Sequence, residues 1–119
     1  MSRLVKRVYI EENRSSFEID IPKSTYVRLC DLCVVGTKPG KFIYVTLDDA
    51  VLTSLNSIQR PLLGSFPVTQ DFAILGSGPI TKLLPLKIHP KKSMFRLLYL
   101  TDEVQYTKIT VSCRLDFFI

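Results

Sequence analysis

The sequence predicts an all-β protein built as an antiparallel β-sandwich. Apolar residues recur at every second position in several short runs, Gly and Pro punctuate the chain about every ten residues, and no segment sustains a helical period over three turns. With 119 residues the chain fits one domain, 1–119, large enough to bury a core without disulfide or metal staples. The last stretch, "KITVSCRLDFFI", states the pattern most clearly. Ile109, Val111, Cys113, Leu115, Phe117 and Ile119 alternate with Lys108, Thr110, Ser112, Arg114 and Asp116, and Phe118 alone breaks the polar set.

The earlier elements follow in order. Leu4 to Ile10 reads as a strand with Leu4, Val8 and Ile10 on one side and Lys6 as an exception. "SFEIDI" sets Phe17, Ile19 and Ile21 against Glu18 and Asp20, and Pro22 closes it. "YVRLCDLCVVG" is rich in β-branched and apolar residues and ends at Gly36 before the "KPG" turn. "KFIYVTLDD" sets Ile43, Val45 and Leu47 against Phe42, Tyr44 and Thr46, a pattern expected to be covered on both faces. From Ala50 to Ser57 the expectation is a loop with a helical turn, with Asp48 or Asp49 as N-cap and Val51, Leu52 and Leu55 at helical spacing. "RPLLGSFPVTQDF" reads as two short extended pieces joined by a bend. Gly76 to Pro79 is a turn, followed by a strand from Ile80 to Ile88 in which Pro85 marks an edge or a bulge. Phe95 to Leu100 is a strand with Asp102 and Glu103 in its turn, and the closing strand follows.

Eight or nine short strands fit a single jelly roll of about eight strands best. An immunoglobulin-like sandwich is the alternative, but the chain has no Trp for its core; an oligonucleotide-binding barrel needs fewer strands and usually a helix. In a jelly roll the last strand lies inside a sheet, so the end of the chain is expected in the core. The start at Met1 and the end within a strand lead to the expectation of a complete unit.

Charge and motifs narrow the function. The formal charge of +5 and pI of 9.2 raise nucleic acid as a partner. Arg3, Lys6 and Arg7 in the first strand and Lys87, Lys91 and Lys92 around His89-Pro90 are the candidate basic surface. Aromatic side chains are not interleaved with them, so a solvated face or an acidic partner is favoured over base stacking. The three cysteines do not make a secreted disulfide framework. "CDLC" has the spacing of a zinc or redox pair, and Cys30, Cys33, Cys113 and His89 would complete four ligands. On a straight strand, however, residues three apart face opposite ways, so buried apolar cysteines with no metal are favoured. "GSG" lacks the Lys and helix of a phosphate loop, no nucleophile elbow is present, and the pairs Asp48/Asp49 and Asp102/Glu103 are weak calcium signals. No apolar run approaches the ~20 residues of a membrane span and no signal peptide is recognised, so synthesis in the cytoplasm or nucleus is expected, without a membrane partner. The expectation is a binding or structural module, without catalytic residues or a cofactor.

Over nearly its whole length the chain resembles the small single-jelly-roll capsid proteins of Polinton-like viruses, adintoviruses and virophages. The resemblance rests on "NRSSFEIDIP", "VRLCDLCVVG", "KFIYVTLDDAVLTSLNSIQRPLLGSFPV" and "FRLLYLTDEVQYTKITVSCRLDFF", which follow that family's order. It implies a virion structural protein, a penton-like, minor capsid or cement subunit, assembling as a trimer or pentamer and contacting other capsid proteins. Candidate interface residues are Leu62, Leu63 and Phe66 in the Pro-bounded stretch, Leu75 and Ile80 around the "GSGP" turn, and Phe118. Each could equally anchor its segment in the core. The rival expectations are a carbohydrate- or receptor-binding sandwich using Tyr44, Tyr99 and Tyr106, and a nucleic-acid-binding β-domain using the basic surface.

Overall fold

Alternation in the sequence becomes two stacked sheets. A computed structural model describes residues 2–49, 56–69, 72–86, 92–99, 104 and 108–119. Its strands are β1 (Leu4–Glu12), β2 (Ser16–Asp20), β3 (Tyr26–Val35), β4 (Phe42–Asp49), β5 (Leu62–Pro67), β6 (Phe72–Ile74), β7 (Leu84–Pro85), β8 (Lys92–Leu98) and β9 (Thr110–Phe118). One sheet has the order β1-β9-β3-β6, with β7 also on β3, and the other the order β2-β8-β4-β5. Every pairing is antiparallel.

The pairings are nested. β1 pairs with β9, β2 with β8, β3 with β6 and β7, and β4 with β5. β6 and β7 act as one interrupted edge strand, because β6 meets Cys33–Val35, Pro79 bridges Cys30, and β7 meets Tyr26 and Val27. The strand expected from Ile80 to Ile88 is therefore reduced to Leu84–Pro85 within the described residues. Pro79 and Pro85 have no N–H to give to a ladder, which explains the interruptions. As expected, β9 is an interior strand, between β1 and β3.

The inward sets form the core. Val27, Leu29, Leu32 and Val34 of β3 and Val111, Cys113, Leu115 and Phe117 of β9 face Ile43, Val45 and Leu47 of β4 and Phe95 and Leu97 of β8. Phe17 stacks on Phe95 with ring centroids 5.0 Å apart. Each such side chain contributes about 1.5–3 kcal/mol on burial. On β4 the expected double cover holds at Thr46 and Asp48, which are buried, while Phe42 is exposed.

Two irregularities change the parity that the sequence implies. Between Leu4 and Lys6 the register with β9 shifts, so Leu4 pairs with Phe118 rather than joining Val8 and Ile10 on the core side. Within β3 the register shifts between Cys30 and Cys33, where Asp31 takes a left-handed φ of 53°. Cys30 then pairs with Arg114 and Cys33 with Ser112, both on the outer face of β9. Asn56 caps a 3-10 turn at Ser57–Gln59, its Oδ1 accepting from the N–H groups of Ile58 and Gln59, whereas the helical turn expected to start at Asp48 or Asp49 falls mostly on residues outside those described. Asp48 and Asp49 belong to β4; residues 50–55, with Val51, Leu52 and Leu55, lie outside the described residues. No helix among the described residues is long and apolar enough to cross a membrane.

Gly36 ends β3 at a φ of 98°, and a Cβ there would lie 2.5 Å from the carbonyl oxygen of Lys108. Left-handed backbone and a main-chain clash act together, so Gly36→Ala is expected to lose about 2 kcal/mol or more of unfolding free energy, measured by urea denaturation.

Candidate interaction surface

Among the described residues, the outer face of the β1-β9-β3 sheet gathers the densest cluster of charged side chains. At its centre is Asp116 of β9, whose side chain has 0% exposure. Arg7 and Arg28 are its direct cross-strand partners on β1 and β3. Arg7 Nε lies 3.3 Å from Oδ1, Arg28 donates to Oδ2 at 3.5 Å, and Arg114, two residues along the same strand, donates to Oδ1 at 3.1 Å. The Cys30 thiol adds a donor to Oδ2 at 3.6 Å. One carboxylate thus joins three neighbouring strands, with its lone pairs filled by charged donors.

Asp31 extends the cluster. Its Oδ2 accepts from Arg114 at 3.2 Å, and its Oδ1 accepts the N–H of Gly78. The main-chain N–H of Asp31 donates to the Gly78 carbonyl at 2.9 Å, which fastens the turn at Gly76 to Pro79 onto β3. The left-handed bulge is what aims Asp31 at both partners. Phe118 lies at one end of the cluster, with the Arg28 guanidinium carbon 5.0 Å from its ring centroid. Beyond it, cross-strand register lines up Leu4, Phe118, Tyr26 and Pro85 in one row over the sheet. Leu4 is 41% and Tyr26 36% exposed, an apolar strip on an otherwise polar face.

A second buried carboxylate closes the other sheet. Asp48 of β4 has 0% side-chain exposure, accepts from Arg60 at 2.6 Å, and is also paired with Arg96 of β8. The sequence reading took Asp48 as a possible N-cap or a weak calcium signal and did not foresee this pair, because Arg96 comes from β8 and Arg60 from beyond the 3-10 turn, both distant in the chain.

The expected interface residues divide. Leu63 is a core residue, while Phe66, Leu75 and Ile80 pack against the core with part of their surface open. Leu62 is half-buried beside Leu84 and Leu86. Phe118 is held under Arg28 and belongs to the apolar row. Among the basic candidates, Arg3 is exposed and its main chain pairs with Ile119, Lys6 is exposed on the free edge of β1, and Arg7 is committed to Asp116. Lys92 starts β8 opposite Asp20 in the other sheet, so it does not extend the β1 group; Lys87 and Lys91 lie outside the described residues, as do His89, Asp102, Glu103 and Tyr106. Tyr44 is half-buried on β4, and the Tyr99 hydroxyl accepts the Lys38 N–H at 3.3 Å.

The bulge puts Cys30 and Cys33 on one face, contrary to a straight strand, but Cys113 points into the core. All three thiols are free, and among the described residues no three His, Cys, Asp or Glu side chains converge. Burial, aided by the nearby Cys30, pushes the Cys113 thiol up to about 12. An unfolded cysteine ionises near its ordinary value of about 8.5, so above that pH the unfolded chain releases a proton that the folded one keeps. Stability is expected to fall as pH rises towards 12, by about 1.4 kcal/mol per pH unit from this thiol, and Cys113→Val should flatten that part of the curve. Asp116→Asn leaves three guanidinium groups without their carboxylate and should cost about 3 kcal/mol in urea denaturation at neutral pH. No protein-family model matches the chain, and comparison with curated proteins finds no match.

Proposed function

We propose that this chain is a jelly-roll structural subunit of a virus capsid, a penton-like, minor capsid or cement protein, made in the host cytoplasm or nucleus and assembled into the virion. The observation that carries the reading is the nested strand order. Four antiparallel pairs, first with last and inward to β4 with β5, wrap across two sheets as in a jelly roll, with β6 and β7 counting as one strand. A building block must hold its shape under contact with neighbours. The ion clusters at Asp116 and Asp48 tie adjacent strands on both outer faces and so serve that need. The row of Leu4, Phe118, Tyr26 and Pro85 supplies an apolar contact area for other capsid subunits. In this reading the chain has no catalytic role.

Static light scattering on the purified protein tests the reading. A trimer or pentamer that loses order on Tyr26→Asp is the expected result. A monomer at both low and high salt overturns self-assembly through this row and moves weight to a binding module.

A further inference from the structure

β1 is the outer strand of its sheet, and on its far side no strand among the described residues pairs with it. A nine-residue open edge is long for a strand without a partner. Its sequence is "LVKRVYIEE", and the portion from Lys6 to Glu12 is antisymmetric in charge about Tyr9. Val8 mirrors Ile10, Arg7 mirrors Glu11, and Lys6 mirrors Glu12. We propose that β1 pairs antiparallel with β1 of a second copy of this chain about a two-fold axis at Tyr9, making one continuous sheet across the dimer.

The faces agree with this register. Val8 and Ile10 pair with Leu115 and Cys113 on the core side, whereas Arg7, Tyr9 and Glu11 pair with Asp116, Arg114 and Ser112 on the outer side. Antiparallel partners share a face, so a two-fold pairing must join residues of equal parity, as a centre at Tyr9 does. Each copy's half-buried Val8 then borders the other's open groove between β1 and β2, which the half-buried Ile19 also lines, while Ile10 and Phe17 stay buried in their own core. On the outer side Tyr9, 76% exposed, stacks beside its mate.

The charges select the partner. Lys6 points towards the core side at an open edge, a placement that blunts pairing with an arbitrary strand. In the self-pairing it meets Glu12, whose ionic partner among the described residues is the exposed Arg14 at 3.5 Å. Arg7 contacts Asp116 through Nε, so its terminal nitrogens can reach Glu11. Among the described residues neither Lys6 nor Glu11 has an ionic partner within its own chain. Shifting the centre to Val8 or Ile10 would set Lys6 against Ile10, or Val8 against Glu12, and lose the complementarity. This contact does not depend on the capsid reading, because it closes on two copies at an edge away from Tyr26.

Sedimentation equilibrium with single charge reversals tests the pairing. Wild type should form a dimer that weakens with salt. Lys6→Glu alone and Glu12→Lys alone should each weaken it about tenfold, since each places two like-charge pairs across the axis, and an equimolar mixture of the two should restore it. A wild type without dimer, or variants that associate as well as wild type, overturns the proposal. The register has its own readout, in a Cys33→Ser background and with folding checked by circular dichroism. Tyr9→Cys should cross-link between copies under mild oxidation, and Glu11→Cys, set opposite Arg7, should not. Equal cross-linking of both overturns the centre at Tyr9. A larger oligomer sensitive to Tyr26→Asp but not to Lys6→Glu would uphold the capsid reading and sink this one.

Discussion

Asp116 holds its carboxylate out of contact with water on the face of a sheet that should be wet. A buried carboxylate is costly unless it is paired and hydrogen-bonded, and here the pairing comes from the strands on either side. Arg7 and Arg28 reach it only because β1, β9 and β3 are in the observed register. A slip of one residue would turn the arginines to the core, and a slip of two would strand the carboxylate. The cluster therefore selects the alignment of the three strands that form the middle of the molecule, while the apolar side chains beneath supply most of the energy.

The same constraint explains the bulge in β3. Asp31 leaves the ladder in a left-handed conformation, which costs on the order of 1–3 kcal/mol for a residue with a side chain. In return it bonds Arg114 and the Gly78 turn, joining the irregular edge of the sheet to the central cluster. A run broken by Pro79 and Pro85 could not hold to β3 by ladder bonds alone. The Asp48 pair plays the corresponding part in the second sheet, fastening the segment after the 3-10 turn over β4.

With both faces tied in this way, the two contacts proposed above use the row at Leu4, Phe118 and Tyr26 and the edge at β1. One is an apolar strip on a face; the other is an unpaired backbone with ordered charges. They differ in chemistry, so a protein that uses both could assemble in two directions.

By itself the sequence determined the class of fold, the inward sets of β2, β4 and β9, the bend around Gly76, and the interior position expected for the last strand. These follow from period-two alternation and turn residues, which act over a few neighbours in the chain. Only the tertiary structure decided that Leu4 leaves the core side, that Cys30 and Cys33 share a face, and that Asp48 and Asp116 are buried charges. Each of these depends on register or on a bulge, and so on partners such as Arg28 and Asp116 that are far apart in sequence. Alternation shows which residues share a face, but whether a polar face meets water or three arginines is settled by what the neighbouring strands bring to it.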